Sequence, residues 1–211
     1  MRLAILVITG YLVGSVPFGL IIAAAHGKEL RKIGSGNIGA TNLSRALGKK
    51  WGYVCFCLDV LKGLVPMLLA AHLVGSPPGV KEQFSWLAVG CAAVAGHIFP
   101  LYVRFRGGKG VATSFGVALG LWPYYTICAV FALAVWVLVV LASRYVSLAS
   151  ISAALAFPVT LVVLVTATPA WDMVDLWPLL AAAIGIPVAV VARHRENLKR
   201  LLRGTEHKIT R

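Results

Sequence analysis

Six apolar runs of roughly bilayer-spanning length, with most of the charge gathered between them, constrain this chain more than any other feature. They cover Leu3–Ala25, Trp51–Gly75, Ser85–Val103, Ser114–Ala142, Leu148–Ala167 and Leu176–Ala192. About 20 apolar residues carry a helix across the ~30 Å hydrocarbon core. Lipid offers no partner to a backbone N–H or C=O, so runs of this kind take helical form. Composition agrees, because 59% of the 211 residues are hydrophobic and only 13% are charged, against about 25% charged in soluble domains. A disordered chain and an ordinary soluble globule are thereby excluded. The expectation is an all-α, polytopic integral membrane protein, organised as a single membrane-embedded domain over residues 1–211. The stretch after Met1-Arg2 reads as a retained first span rather than a signal peptide. It reaches spanning length and is interrupted by Gly14, Ser15, Pro17 and Gly19.

The net charge of +13 suggests nucleic acid at first sight. A membrane protein reaches the same excess by loading its cytoplasmic loops with Lys and Arg, and here the cations lie between spans. Lys28–Lys50 holds six of them, Arg104–Lys109 three and Arg193–Arg211 seven. Thr168–Asp175 holds none, and carries Asp172 and Asp175. Ser114–Ala142, at 29 residues, would be about 43 Å long as one helix, and Trp122-Pro123-Tyr124-Tyr125 breaks it near its start. If this run crosses twice, every cation-rich segment shares one side. The positive-inside rule therefore predicts seven transmembrane helices with short fourth and fifth members, the N-terminus outside and the C-terminus cytoplasmic. Cys55, Cys57, Cys91 and Cys128 all lie in apolar runs and read as small buried hydrophobes.

Three polar segments then share the cytoplasmic face. The first is Gly34-Ser35-Gly36-Asn37-Ile38-Gly39-Ala40-Thr41-Asn42, with Arg45 behind it; the second runs from Arg104 through Gly107-Gly108-Lys109-Gly110 to Thr113 and Ser114; the third is Arg193-His194-Arg195-Glu196-Asn197-Leu198-Lys199-Arg200. Glycines let backbone N–H groups converge on an anion, and Ser, Thr and Asn add donors. Both Gly-rich segments precede an outward-going span, so a phosphate there would meet the positive end of a helix dipole. Lys109-Gly110 is not the Gly-Lys-Ser/Thr of a P-loop, so no nucleotide is implied. The plainer alternative for each segment is a tight turn with basic anchors beside lipid headgroups. Two donor loops with a cation each weigh against it.

These three segments, in this order, resemble the motifs of the bacterial acyl-phosphate:glycerol-3-phosphate acyltransferase family, and the likeness covers essentially the whole chain. The resemblance implies a seven-helix enzyme of the bacterial cytoplasmic membrane with its active site on the cytoplasmic face. It would move a fatty acyl group from acyl phosphate to the 1-hydroxyl of sn-glycerol 3-phosphate, giving lysophosphatidic acid and phosphate. Its partners would be those two substrates, the bilayer and the soluble enzyme that makes acyl phosphate, with no nucleic acid, cofactor or metal. Ser35, Asn37, Thr41, Arg45, Lys109, Ser147, His194 and Asn197 match the family's active-site positions. Gly107–Thr113 matches its phosphate loop.

Acyl phosphate is a mixed anhydride, so its carbonyl is already activated and no covalent enzyme nucleophile is required. Two phosphates must instead be held together, which calls for cations and N–H donors. Lys109 and Arg45 suit the phosphate charge, with Arg104, Arg144 and Arg193 in reserve; Gly36, Gly39, Gly107, Gly108, Gly110, Asn42, Thr113 and Ser147 complete the expected donor set. Ser35, Asn197 or backbone amides suit the oxyanion. His194 is the natural general base, and a donor phosphate oxygen is its rival for that role. The His followed by Asp five residues later, found in acyl-CoA-dependent glycerolipid acyltransferases, is missing: His26, His72, His97 and His194 are followed there by Arg31, Pro77, Tyr102 and Lys199. Asp59 and Lys62, three apart inside a span, are expected to support the first loop. Glu196 is expected to pair with a nearby cation, His97 to pack or hydrogen-bond at a span end, and His207 and Lys208 to be solvated. A transporter of a small phosphorylated solute is the main competing function, and a lipid-headgroup scaffold the third.

Overall fold

The computed structural model describes residues 1–74 and 79–209, and every regular element among them is helical. Helices α1 (Arg2–Gly14), α2 (Phe18–Ala25), α3 (Ala40–Leu47), α4 (Lys49–Val74) and α5 (Val80–Ile98) are followed by α6 (Val111–Gly120) and α7 (Tyr124–Ser143). The last three are α8 (Val146–Ala167), α9 (Trp177–Ala192) and α10 (Arg195–Leu202). Single 3-10 turns lie at Leu30–Lys32 and Leu101–Val103. Among the described residues, five stretches are long and apolar enough to cross a membrane: Arg2–Ala25, Lys49–Leu73, Val80–Val103, Tyr124–Ser143 and Val146–Ala167. A sixth is added if α9 and α10, bent by 58° at their junction, count as one. Gly75, the expected end of the second run, and Arg211, the last expected tail cation, lie outside the described residues.

The long run Ser114–Ala142 is broken where Pro123 stands. Proline donates no N–H and resists a helix interior, so α6 stops at Gly120 and α7 starts afresh at Tyr124. The expectation of two short helices needs correction. Only α6 is short, ten residues, or about 15 Å. The break comes so early in the run that α7 keeps 20 residues, or about 30 Å. A second correction concerns the first Gly-rich segment, which does not enter a span directly. It feeds α3, an eight-residue helix that ends at Gly48, where φ is +91°, a backbone region natural to glycine.

The chain divides into two compact units. The first comprises Met1–Pro77 and Ser85–Gly120; the second comprises Pro78–Phe84 and Leu121–Arg211. In the first, helices approach through glycines. A Cβ on Gly63 would collide with the Thr113 carbonyl, and one on Gly116 with the Val60 carbonyl, so α4 and α6 meet backbone to backbone. The same holds for α1 and α5, at Gly14 against Ala93 and at Gly96 against Tyr11. Apolar tails give no hydrophobic drive between helices in lipid, so such close packing is what holds them. Ile22, Ala23, Leu30, Leu43 and Cys55 form a buried cluster that seats the first loop on α2, α3 and α4.

In the second unit α7 and α8 are joined by a turn at Arg144 and Tyr145, with Arg144 at φ +61°. The indole N–H of Trp136 donates to Ser150 Oγ at 3.2 Å, and the Tyr125 hydroxyl donates to the Leu179 carbonyl. The buried Gln83 amide donates to the Asp175 carbonyl at 2.8 Å, tying the start of α5 to the loop before α9.

Candidate active site

The first unit brings two of the three polar segments together. Arg31, at the foot of the first loop, donates from Nη2 to the Arg106 carbonyl at 2.6 Å. The first loop turns through Gly34 and Gly36, at φ +55° and +67°, and is organised around Asn42. That side chain is 2% exposed. Its Oδ1 accepts the Ser35 N–H at 3.0 Å, while its Nδ2 donates to the carbonyls of Leu30, Ile33 and Asn37 at 3.2, 2.9 and 2.9 Å. An amide has two N–H groups, so three carbonyls exhaust them. Asn42, expected among the phosphate donors, is therefore occupied by the loop's own backbone. Asn37 does similar local work, its Oδ1 accepting the Gly39 N–H at 2.9 Å.

A different set reaches the surface. Ser35, Thr41 and Arg45 are exposed, and Thr41 and Arg45 lie four apart on α3, hence on one face. The hydrogen-bond ladder of α3 begins with Asn42 and Leu43 donating to Gly39, both at 3.1 Å, so the N–H groups of Ala40 and Thr41 precede it. A helix start of this kind favours an anion.

The second loop is built otherwise than its glycines suggest. The N–H groups of Gly107 and Gly108 donate to the carbonyls of Ile98 and His97, at 3.2 and 3.1 Å. These two amides close the C-terminal end of α5 and are not available to a phosphate. The glycines serve close approach: a Cβ at 107 would collide with the His97 carbonyl and Pro100, and one at 108 with the His97 ring. Thr113 is also displaced from the expected donor set. It is fully buried in the α4–α6 seam, and its hydroxyl has no hydrogen-bond partner among the described residues. Gly110, at φ +83°, makes the turn into α6, whose ladder opens with Ser114 donating to Gly110 at 2.7 Å. The N–H groups of Val111 and Ala112 precede that bond, directly after half-buried Lys109. Arg104 stands exposed at φ +54° before this loop, lining with Arg31, Tyr102, Val103 and Arg106 a surface cavity of about 400 Å³.

Beneath these loops lies a buried ionic cluster. Lys62 Nζ is 2.8 Å from Asp59 Oδ1 and donates to the Val16 carbonyl at 2.9 Å. Val16 sits in the break between α1 and α2. The pair thus supports the interruption of the first span, and its carboxylate also meets Cys55 of the cluster that seats the first loop. His97 Nδ1 stands 3.7 Å from the same carboxylate oxygen.

The second unit holds the third segment. His194 caps α10 and is 2% exposed. Its Nδ1 lies 2.8 Å from the Val190 carbonyl, which can only accept, so Nδ1 carries the proton and Nε2 is left as the basic nitrogen. Asn197 and Ser147 are 6% and 4% exposed, and both donate to Glu206 Oε1, at 2.6 and 2.8 Å. Arg200 Nε donates to the other oxygen at 2.7 Å. Burial pushes the Glu206 carboxyl up, but these three hydrogen bonds and the Arg200 charge outweigh it and hold it below the ordinary glutamate value. The tail folds back on the second unit, with the Ile209 N–H donating to the Arg144 carbonyl at 2.9 Å and Lys208 standing 5.3 Å over the Tyr145 ring, while His207 and Lys208 themselves are exposed, as expected. Glu206 escaped the sequence reading. It is one of two acids in a basic tail, and its partner Ser147 is 59 positions away. Glu196 pairs as expected, with Lys199 at 3.2 Å.

The chain has close relatives throughout its length. The family profile described as glycerol-3-phosphate acyltransferase matches residues 4–204. A glycerol-3-phosphate acyltransferase of Aquifex aeolicus is 43% identical over 210 residues, 99% of this chain and 100% of that one. One from Geotalea daltonii is 44% identical over 204 residues, covering 96% and 95%. Two crystal structures of PlsY, an integral membrane glycerol 3-phosphate acyltransferase, superpose on the whole chain and on 96% of theirs. The glycerol 3-phosphate form gives a TM-score of 0.86 at 42% identity, and the lysophosphatidic acid form 0.84 at 40%. Identity of this order over the full length leaves one assignment: the chain is a multi-pass integral membrane protein of the glycerol-3-phosphate acyltransferase family.

Proposed function

We propose that the chain transfers a fatty acyl group from acyl phosphate to the 1-hydroxyl of sn-glycerol 3-phosphate, releasing lysophosphatidic acid and inorganic phosphate. The observation that carries this reading is the joining of the two Gly-rich segments in one unit, within a chain 43% identical to a glycerol-3-phosphate acyltransferase from end to end. The activity belongs to residues 1–211 as one domain, since the family match runs through both units.

The acceptor oxygen attacks the acyl carbonyl carbon, the carbon–oxygen bond to the donor phosphate breaks, and phosphate leaves. Lys109, Arg45 and the open amides at the starts of α3 and α6 answer the phosphate charge, while Ser35 and an Asn197 N–H stabilise the oxyanion. His194, basic at Nε2, takes the hydroxyl proton. Gly36, Asn37, Gly39 and Asn42 shape the first loop, and Gly107, Gly108, Gly110 and Thr113 the second. Thr41, Arg104, Arg144 and Ser147 complete the polar surround. The active site faces the cytoplasm of a bacterial inner membrane, in a seven-pass topology with α6 as its short fourth pass. Charge parity supports that arrangement, and the break at Pro123 is what it requires.

Purified protein in detergent tests the reading by phosphate release. Release that requires both acyl phosphate and glycerol 3-phosphate, and fails when acyl-CoA replaces the donor, is expected. Flux of glycerol 3-phosphate into proteoliposomes without turnover would show a transporter instead.

A further inference from the structure

Lys62, Asp59 and His97 are ionisable groups buried within spans, 4%, 3% and 5% exposed, and the chemistry above uses none of them. Burying an ion pair rarely stabilises a fold more than apolar residues of the same volume, and ionisable groups inside a membrane mark function by default. Lys62 is accounted for by Asp59, the Val16 carbonyl and the Phe18 ring 5.7 Å away. Asp59 is not exhausted by Lys62. Its Oδ2 accepts a hydrogen bond from the Cys55 thiol at 3.7 Å, and its Oδ1 faces His97 Nδ1 at the same distance, within Coulombic reach though longer than an N–H···O hydrogen bond.

His97 in turn meets the second loop twice. Its carbonyl accepts the Gly108 N–H at 3.1 Å. Its ring presents Nε2 to Gly108 so closely that a Cβ there would overlap it, with ring carbons only 3.1 Å from that position. A carboxylate accepts and cannot donate, so Asp59 favours the tautomer protonated at Nδ1 and leaves Nε2 as an acceptor turned to the loop. The residue after Gly108 is Lys109.

We propose that Asp59, held by Lys62, is a positioning residue that fixes the His97 ring, and through it the Gly107–Gly110 loop that presents Lys109 to the acceptor phosphate. This rests on the role proposed for that loop in binding glycerol 3-phosphate. The logic is that of carboxylate–histidine support around other functional centres, where losing the outer group costs roughly 10–100-fold.

The test removes the ion pair as a unit, by Asp59→Leu with Lys62→Met, so that neither an uncompensated charge nor an acceptor toward His97 stays buried. A merely structural pair predicts full recovery of every kinetic constant in the folded double variant. Positioning predicts a KM for glycerol 3-phosphate raised about tenfold, with the KM for acyl phosphate and the melting temperature near wild type. Wild-type KM for glycerol 3-phosphate in the double variant overturns the proposal. If wild-type protein itself shows no acyl transfer, the proposed function fails instead. Should the double variant not purify folded, His97→Gln and His97→Leu are compared. Glutamine keeps an acceptor toward the loop, so its KM for glycerol 3-phosphate should stay within about threefold of wild type while that of leucine rises about tenfold. Equal values for the two variants overturn the proposal.

Discussion

Asn42 offers the sharpest separation between a residue that builds the site and one that touches substrate. Asn42→Ala removes one acceptor and two donors from a place 2% exposed. The Ser35 N–H and the carbonyls of Leu30, Ile33 and Asn37 lose their partner together. Two donors shared among three carbonyls, plus one acceptor, amount to three hydrogen bonds at about 1 kcal/mol net each, or about 3 kcal/mol. The first loop can open without the spans unfolding, so that loss appears locally. At 1.4 kcal/mol per tenfold, exchange of the loop amides should accelerate about 100-fold. Hydrogen exchange by mass spectrometry on the purified variant reads peptides covering residues 28–42 against peptides within α8. Fast exchange confined to the first loop, with a lower kcat, is expected. Unchanged exchange together with a raised KM for glycerol 3-phosphate would show that Asn42 is a phosphate ligand after all, and would refute the accounting.

Gly108→Ala drives a methyl group into the His97 ring, an overpacking worth about 1–3 kcal/mol. A lower melting temperature and a raised KM for glycerol 3-phosphate should appear together, and a raised KM with unchanged stability would place the methyl in the phosphate pocket instead. Glu206 is held below the ordinary glutamate value, so its contribution is complete above the unfolded value of about 4.3 and is lost as pH falls through the lower folded value. Exchange of amides 203–209 should therefore rise only on acidification below about pH 4 in wild type, and should already be fast at pH 7 in Glu206→Gln. An identical acid profile in the two proteins would contradict this. For topology, Trp122→Cys in a background without the native cysteines should react with an impermeant thiol reagent in intact cells, and protection there would remove the seven-pass arrangement.

What the sequence made legible follows from how few physical quantities were involved. Run length measured against membrane thickness located the spans, and proline located the break at Pro123. Gly-rich, cation-bearing segments marked the loops, and a three-residue spacing marked the Asp59–Lys62 pair. Direction was not legible. A polar residue in a glycine loop reads the same whether its amide turns outward or, as in Asn42, inward to three carbonyls. Gly107 and Gly108 read as free amides until the end of α5 is seen to accept both. Partners far apart in the chain were equally hidden: Val16 for Lys62, and Ser147 for Glu206. The length of α7 was not legible, because charge parity bears only on how many times the run crosses and says nothing of where a turn within it falls.

The central claim is that Lys109 and the amides following it answer the phosphate charge during acyl transfer. Steady-state kinetics of Lys109→Ala, with folding verified by gel filtration, test it most directly. Removing a charge that acts on the developing phosphate should lower kcat by about 2.7–4 kcal/mol, or roughly 10²–10³-fold. Lys109→Arg should restore little of it, because a planar fork does not replace a compact ammonium. A folded Lys109→Ala enzyme with near wild-type kcat and KM for glycerol 3-phosphate would take this loop out of the active site.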